Sequence, residues 1–408
     1  MCTTIKIELD DTVKDNVFFQ KLESITINQT ELFKYGINVI EVPDHIKDSD
    51  FDYLQSKVPH LESLYSDFMS FSSESITNLS LDDRTQKSIS EISGIALGLK
   101  YSVELLQTNP NKFKKIGIPK NGKYLDYSII IDDKKFEIET KGTTQKTYSK
   151  FKNDILSKKE NQNSNPVHLR FGTIAMINRK DRSVNSKCVI VDDPPENVLV
   201  KKDDTFITQL YNYGNLLSFI IDSKNYNKYI ALLRKNKINK VKINQKKFYG
   251  QYQYLGKTYF GECFDYRLIR ENLDNLVIDK TNINFDKYTK KCGNVKFFIG
   301  IEDVVITAIN KKNHDFLKTY ISQTYYSKDE MSTHFIDKDG IIVVKSIDGD
   351  DIQLEGLFTE EEVINRLKLF KSYINENPHK CGAPCKSRWI KGKPCEKMTY
   401  RKYCHFHR

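Results

Sequence analysis

The chain has 408 residues, of which 39% are hydrophobic and 29% are charged, and its formal net charge is +10. This composition supplies enough apolar side chains for folded cores and argues against a disordered or fibrous protein. At about 150 residues per domain, the length predicts two or three domains. No apolar run approaches the roughly 18 residues needed to span a bilayer. The first eleven residues lack the features of a secretion signal, so we expect a cytoplasmic protein.

The hydrophobic pattern predicts a mixture of helices and strands. The first part of the chain contains short segments such as 37–42 and a helical stretch at 60–71. Apolar residues recur at helical spacing over 86–106 and predict an amphipathic helix. Two strands, at 124–131 and 135–141, follow and are joined by a tight turn. Beyond them the pattern predicts a helix at 146–159, strands at 168–177 and 187–191, and helices at 205–221 and 225–235.

The second half of the chain is predicted to be mostly β between about 240 and 350. Gly256 marks the turn of a hairpin there, and residues 337–340 give a second turn signal. Thr359 and Glu362 form a capping box that opens a further helix. Taken together, the patterns predict four segments: an N-terminal α/β extension at 1–75, an α/β domain at 76–225, a β-rich accessory or recognition domain at 226–375, and a small basic tail at 376–408.

An acidic strand carries the most informative chemistry. Because side chains alternate along a strand, Glu137, Glu139 and Lys141 share one face. Asp126 lies on the preceding strand of the same hairpin, so its carboxylate can approach Glu139. Two converging carboxylates bind a hard cation such as Mg²⁺, and a lysine beside them can position water or stabilise charge on a phosphate. The alternative interpretation is a solvated strand face with alternating charges.

The spacing Asp126-x12-Glu139-x-Lys141 resembles that of the PD-(D/E)xK nuclease superfamily, which has the restriction-endonuclease-like fold. The resemblance covers about residues 86–222. It implies an α/β (α+β) core made of a helix, a three-stranded meander, a second helix and a further strand, with a mixed sheet flanked by helices. The sequence departs from the family pattern at Leu125, where members often carry proline.

The resemblance implies a Mg²⁺-dependent DNA endonuclease of restriction or defence type. In such an enzyme Asp126 and Glu139 hold the metal and Lys141 assists the water or the phosphate. Family members often carry a glutamate on the first helix, and Glu91 is the matching residue, although it also fits an exposed helix position. The substrate is expected to be duplex DNA, with RNA and branched DNA left open. A homodimer would allow such an enzyme to cut both strands.

The end of the chain has a different chemistry. Four of the eight cysteines fall in the last 28 residues. Without an oxidising compartment, metal binding explains them better than disulfides, and structural zinc takes four tetrahedral thiolate or imidazole ligands. The Gly-x-Pro-Cys turn followed by Tyr-Cys-x2-His resembles zinc-knuckle tails of viral and bacterial DNA-associated proteins. The predicted ligands are Cys395, Cys404, His407 and one of Cys381 and Cys385.

The same tail is strongly basic. Residues 376–408 contain nine lysines and arginines and two glutamates, a net charge of +7. A local cationic patch is typical of a polyanion-binding surface and predicts contact with DNA, although it also fits a solubilising tail. Trp389, the only tryptophan, either packs the knuckle or stacks on a base. These features support a second hypothesis: a zinc-dependent nucleic-acid-binding protein whose nuclease-like domain is catalytically inactive.

Overall fold

The computed structural model describes residues 2–37, 61, 64–65, 68–116, 125–161, 167–181, 184–192, 205–221, 223–248, 250–264, 297–328, 332–346, 379–380 and 398–399. The strands are β1 (Cys2–Leu9), β2 (Ser24–Asn28), β3 (Met69–Phe71), β4 (Ile76–Asn78), β5 (Lys114–Lys115), β6 (Tyr127–Ile131), β7 (Lys134–Thr143), β8 (Leu169–Met176), β9 (Asn178–Arg179), β10 (Lys187–Asp192), β11 (Gly250–Tyr254), β12 (Lys257–Phe264), β13 (Phe297–Glu302), β14 (Tyr325–Lys328), β15 (Ser332–Ile336), β16 (Ile341–Ser346), β17 (His379–Lys380) and β18 (Met398–Thr399). The helices are α1 (Gln29–Ile37), α2 (Asp83–Leu105), α3 (Ser149–Asn161), α4 (Thr205–Ile220), α5 (Ser223–Arg234), α6 (Asp303–Lys311) and α7 (His314–Thr319).

A seven-stranded mixed sheet has the strand order β2-β1-β10-β8-β7-β6-β5. Strand β7 pairs antiparallel with β6 and parallel with β8, so the chain must cross over between β7 and β8, and α3 lies on this connection. The register places Glu139 beside Gly172 and Thr140 beside Thr173. Directly paired residues share a face. Glu139 and Gly172 therefore lie on one face of the sheet, and the two threonines lie on the other.

Helices cover both faces of this sheet. On one face, Tyr101 of α2 meets Phe171 of β8 edge to face, with ring centroids 6.3 Å apart, and both side chains are fully buried. On the opposite face, Ile155 of α3 packs over Gly172, where an added Cβ would lie 2.7 Å from the isoleucine. Burial of these large apolar side chains is the main stabilising contribution to the two layers.

Helix α2 lies unusually close to β7. Asp82 caps its first turn by accepting a 2.8 Å hydrogen bond from the backbone N–H of Thr85. Further along, Gly94 leaves no room for a side chain, because a Cβ there would overlap the backbone of Lys141 and Gly142. A helix and a strand can approach this closely only where both lack a Cβ. The contact fixes the backbone next to Lys141.

We expect Gly94→Ala to lower the free energy of unfolding by about 1–3 kcal/mol, since the methyl group has to displace the backbone of β7. Equilibrium urea denaturation measures this loss. The control is Lys87→Ala on the exposed side of the same helix, which should change stability by less than about 0.5 kcal/mol. Equal stabilities of the two variants would contradict the close approach.

The second large sheet is antiparallel, with the strand order β11-β12-β13-β16-β15-β14. It curls, because its two edge strands meet through side chains: Tyr254 of β11 is hydrogen-bonded to Ser327 of β14 at 2.8 Å. The Tyr254 ring also stacks on His334 of β15, with centroids 4.1 Å apart and planes within 2°. Tyr254 therefore packs against other strands of the same sheet.

A buried ionic cluster joins α1 to the turn between β15 and β16. The Lys34 ammonium lies 2.6 Å from a carboxylate oxygen of both Asp337 and Asp339, and these side chains are no more than 3% exposed. Gly340 completes the turn with φ = +75°, a value that favours glycine. The described residues up to 264 and from 297 to 346 belong to one compact unit, and β17 and β18 belong to a second. The segment boundaries at 75, 225 and 375 stay predictions.

Most of the predicted elements in the middle of the chain are confirmed, with ends shifted by a few residues. The turn between β6 and β7 places Asp132 and Asp133 at φ = 48° and 60°, as a tight hairpin with the sheet's twist requires. The predicted helical stretch at 60–71 is wrong at its end, where β3 forms. The segments at 37–42 and from Thr359 lie outside the described residues, except that Ile37 ends α1. None of the described helices is long and apolar enough to cross a bilayer.

Candidate active site

Glu139 lies at the centre of a buried charged cluster. Its side chain is fully buried. One carboxylate oxygen, Oε1, accepts from the ammonium groups of Lys141, at 2.7 Å, and Lys158. The other oxygen, Oε2, is buried and has no hydrogen-bond partner among the described residues. Because a buried charged oxygen without a partner is energetically costly, its position suits a water or a cation that the described residues do not replace.

Asp126 stands opposite Glu139 on the hairpin. It precedes Tyr127, which pairs with Ile138, so the two acids occupy facing positions. The Oδ2 atom of Asp126 accepts 3.0 Å hydrogen bonds from the backbone N–H and the hydroxyl group of Thr140. These two donors hold the carboxylate at the end of β6. The Oδ1 atom accepts no hydrogen bond from the described part of the chain, and the side chain is half-buried.

The electrostatics follow from this placement. Burial raises the pKa of Glu139 above its ordinary value, and the nearby negative charge of Asp126 raises it further, against the opposing effect of Lys141 and Lys158. Burial alone would lower the pKa of Lys141, but the charges of Glu139 and Asp126 and the hydrogen bonds that Lys141 donates to Glu139 and Asp154 outweigh this effect, and the pKa is raised. Lys141 is therefore a cation at neutral pH, and it can donate hydrogen bonds but cannot serve as a general base.

Glu137 shares the face of Glu139 but has a different environment. It is 2% exposed, and both of its oxygens are paired, Oε1 with Lys135 at 2.5 Å and Oε2 with Arg170 at 2.9 Å. A carboxylate that is saturated in this way has a structural role. The burial of both glutamates also argues against a solvated strand face. Of the two, Glu139 is the one with a carboxylate oxygen that no described residue contacts through a hydrogen bond.

Two residues of the cluster were not predicted from the sequence. Asp154 and Lys158 lie four residues apart on α3, so they project from one side of the helix. Asp154 contacts Lys141 at 3.1 Å, and Lys158 contacts Glu139. Their side chains are 32% and 13% exposed. The i,i+4 spacing on the helix that follows the acidic strand was the available signal, but a lysine-rich helix gives no reason to select these two positions.

Glu91 is not bonded to this cluster in the part of the chain that the structure describes. It lies on α2, which packs on the Thr140 side of the sheet, whereas Glu139 points to the α3 side. Its side chain is exposed and forms no ion pair or hydrogen bond with a described residue. The neighbouring Ser90 and Gly94 of the same helix make the close contact with Gly142. Participation of Glu91 in the site stays a prediction.

The predicted zinc ligands Cys381, Cys385, Cys395, Cys404 and His407, together with Trp389, lie outside the described residues. Two short strands of the tail are described. β17 pairs antiparallel with β18, with His379 opposite Thr399 and Lys380 opposite Met398. Lys380 immediately precedes the first cysteine of the tail, so the chain on either side of the segment 381–397 is paired.

The acid pair fits a hard divalent cation on its donor chemistry. No group of three or more Cys, His, Asp and Glu side chains that could hold a metal occurs in the described ranges. Mg²⁺ is commonly bound by one or two carboxylates, with waters and substrate phosphate oxygens as the other ligands. Oε2 of Glu139 and Oδ1 of Asp126, which accept no hydrogen bond from a described residue, are oxygen donors of this kind. The two residues would therefore hold the ion.

Comparisons with protein-family models, with curated proteins and with solved structures gave no match for this chain.

Proposed function

We propose that this protein is a Mg²⁺-dependent DNA endonuclease that hydrolyses phosphodiester bonds at Asp126, Glu139 and Lys141. The observation that carries the proposal is the buried Oε2 atom of Glu139, which has no hydrogen-bond partner among the described residues and lies next to a second carboxylate and a protonated lysine. A purely structural acid would be saturated, as Glu137 is. An acid pair of this kind attracts a cation, and the cation together with the lysine attracts phosphate.

Phosphodiester hydrolysis forms a bond from a water oxygen to phosphorus and breaks one phosphorus–oxygen ester bond. The attacking water gives up a proton to solvent, and the departing oxygen takes one up. When bound, Mg²⁺ supplies Lewis-acid chemistry, which neutralises phosphate charge and makes water more acidic. Lys141 donates hydrogen bonds to the water or to a phosphate oxygen. The Thr140 donors keep the Asp126 carboxylate oriented.

The order of the elements supports the same proposal. Helix α2 precedes the meander β5-β6-β7, and α3 then leads to β8, which is parallel to β7. This order agrees with the core that the sequence resemblance to the PD-(D/E)xK superfamily implies. A restriction- or defence-type enzyme in the cytoplasm, with recognition by the 226–375 region, is the form of the proposal that this resemblance favours.

The proposal is tested on a panel of end-labelled substrates: duplex DNA, single-stranded DNA, branched DNA and duplex RNA, each with MgCl₂ or with EDTA. The expected result is cleavage of duplex DNA in MgCl₂ and none in EDTA. Mapping the new ends as phosphate and hydroxyl identifies hydrolysis. Cleavage of RNA or branched DNA alone would keep the chemistry but replace the substrate, whereas intact substrates throughout would contradict the proposal.

The basic tail favours a second candidate function, that of a zinc-dependent nucleic-acid-binding protein. The tail carries a net charge of +7, so we expect a chain that ends at residue 375 to bind duplex DNA more weakly. The salt dependence of binding should also be smaller, because each neutralised phosphate contributes about 0.9 to the slope of log K against log salt. Filter binding at several salt concentrations measures both. If strand cleavage is absent and the tail accounts for binding, the second function replaces the first. Unchanged DNA binding would exclude a role for the tail.

A further inference from the structure

Lys158 is a cation of the cluster that takes no part in the proposed reaction at Asp126, Glu139 and Lys141. It reaches Glu139 from α3, whereas Lys141 reaches the same oxygen from β7. Two ammonium groups thus converge on one oxygen of a carboxylate, and no described residue donates a hydrogen bond to the other oxygen. If both lysines served only to neutralise Glu139, a pairing with one lysine on each oxygen would satisfy more of its acceptor capacity. The observed arrangement leaves one side of the acid open.

The charge of the cluster limits how many cations it can bind. Asp126, Glu139 and Asp154 contribute three negative charges, and Lys141 and Lys158 contribute two positive charges. The cluster is therefore at −1. One divalent cation brings it to +1, which complements the single negative charge of a phosphodiester. A second divalent cation would bring it to +3 in a site that is largely buried, and the desolvation cost of such unbalanced charge is high.

The position of the Lys158 ammonium also suits contact with a phosphate. Sites that use two metal ions place them on both sides of the reacting phosphate, about 3.5–4 Å apart. In this cluster both lysines contact Oε1 of Glu139, and Oε2 of the same carboxylate accepts no hydrogen bond from a described residue. Asp126 and Glu139 would hold the one ion, and Lys158 supplies a further positive charge at the Glu139 carboxylate. The side chain of Lys158 is 13% exposed, so unlike that of Glu139 it is not completely buried.

We infer that Lys158 is a second cationic catalytic residue, which contacts the substrate phosphate in the position that a second metal ion takes in two-metal nucleases. This inference rests on the proposed function. It specifies a site with one divalent cation and two lysines, one from the strand and one from the helix. The role of Lys158 is electrostatic, and no proton or bond changes partner at its ammonium.

The test combines two readouts on the full-length protein. Calorimetric titration with MgCl₂ in the absence of DNA gives the number of ions and their affinity, and single-turnover cleavage gives the rate. We expect one Mg²⁺ per chain at this site. Lys158→Met should bind it roughly three- to tenfold more tightly, because a competing cation is gone from Glu139. The same variant should cleave about 10²–10³-fold more slowly. Lys158→Arg, which keeps the charge, should retain part of the rate.

Lys152→Met is the matched control, since Lys152 lies on the same helix and pairs with the buried Asp10 at 2.7 Å, away from the cluster. It should leave both Mg²⁺ affinity and the cleavage rate unchanged. Weaker Mg²⁺ binding by Lys158→Met would show that Lys158 has only a structural role. An unchanged cleavage rate would show that Lys158 only competes with the metal for Glu139, and either result would overturn the inference. Two ions in the wild-type site would also overturn the inference. A wild-type protein that neither binds Mg²⁺ nor cleaves would instead refute the proposed function on which the inference rests.

Discussion

Glu139→Gln is expected to reduce Mg²⁺-dependent DNA cleavage by at least about 10³-fold. The substitution keeps the shape of the side chain but removes the charge that would hold the cation, whose contribution to phosphate chemistry is several kcal/mol, equivalent to this factor in rate. The amide also leaves Lys141 and Lys158 without their shared carboxylate. Single-turnover cleavage measures the loss of activity, and calorimetric Mg²⁺ titration measures the loss of metal binding. We expect Glu139→Gln to lose activity and Mg²⁺ binding together.

Glu137→Gln is the matched control for this prediction. It changes the same atoms two residues earlier on the same strand face, and it weakens the pairs with Lys135 and Arg170. We expect this variant to lose stability while it still binds Mg²⁺ and cleaves DNA. If folded Glu137→Gln protein were as inactive as Glu139→Gln, the two acids would not differ in role. The assignment of the metal to Glu139 would then be wrong.

Lys34→Met should lower the free energy of unfolding by about 3–5 kcal/mol. Removal of one partner from a buried ion pair leaves uncompensated charge in the interior, and here the carboxylates of Asp337 and Asp339 both lose their cation. Burial by itself would lower the pKa of Lys34, but these two acids raise it, so the lysine is charged in the folded protein. Urea denaturation monitored by circular dichroism gives the stability.

The comparison variant is Lys14→Met, whose lysine is 57% exposed and lies 3.5 Å from the exposed Asp11. An exposed pair of this kind is worth about 1 kcal/mol at most. Adding Asp337→Asn and Asp339→Asn to Lys34→Met should recover much of the lost stability, since no charge is then buried alone. A Lys34→Met protein as stable as Lys14→Met would show that the buried cluster does not join α1 to the β15–β16 turn.

The acidic hairpin could be predicted from the sequence because its determinants are local. The alternation of Glu137, Glu139 and Lys141 follows from the period of a strand, and the turn residues Asp132 and Asp133 adopt the left-handed conformation that a tight hairpin needs. Facing positions for Asp126 and Glu139 then follow from the pairing of the two strands. All of these interactions lie within 16 residues of chain, and tertiary contacts do not change them.

The rest of the cluster depends on tertiary structure. Lys158 reaches Glu139 because the chain crosses over from β7 to a parallel neighbour and places α3 on one face of the sheet. Such crossovers are right-handed as a rule, but the sequence does not state which strand β7 pairs with. The difference between Glu137 and Glu139 likewise depends on Arg170 of β8, a residue 33 positions away along the chain.

Helix α6 was not predicted from the sequence, because the local preference of its residues differs from the structure that they form. Its first turns contain Val304, Val305 and Ile306, residues that favour strands when judged alone, and the region was predicted to be mostly β. The structure forms a helix because Val305 and Ile306 are fully buried on its inner side. Tertiary packing outweighs an intrinsic preference that amounts to less than about 1 kcal/mol per residue.

The most direct test of the central claim is cleavage of supercoiled plasmid and phage DNA by the purified protein in MgCl₂, with EDTA and Glu139→Gln as parallel controls. The account predicts that linear or nicked products form with wild-type protein and MgCl₂ and are absent from both controls. Discrete fragments would add sequence specificity, and a smear would indicate loose specificity. DNA that stays intact with wild-type protein and MgCl₂, or products that persist with Glu139→Gln, would contradict a metal-dependent nuclease site at Glu139.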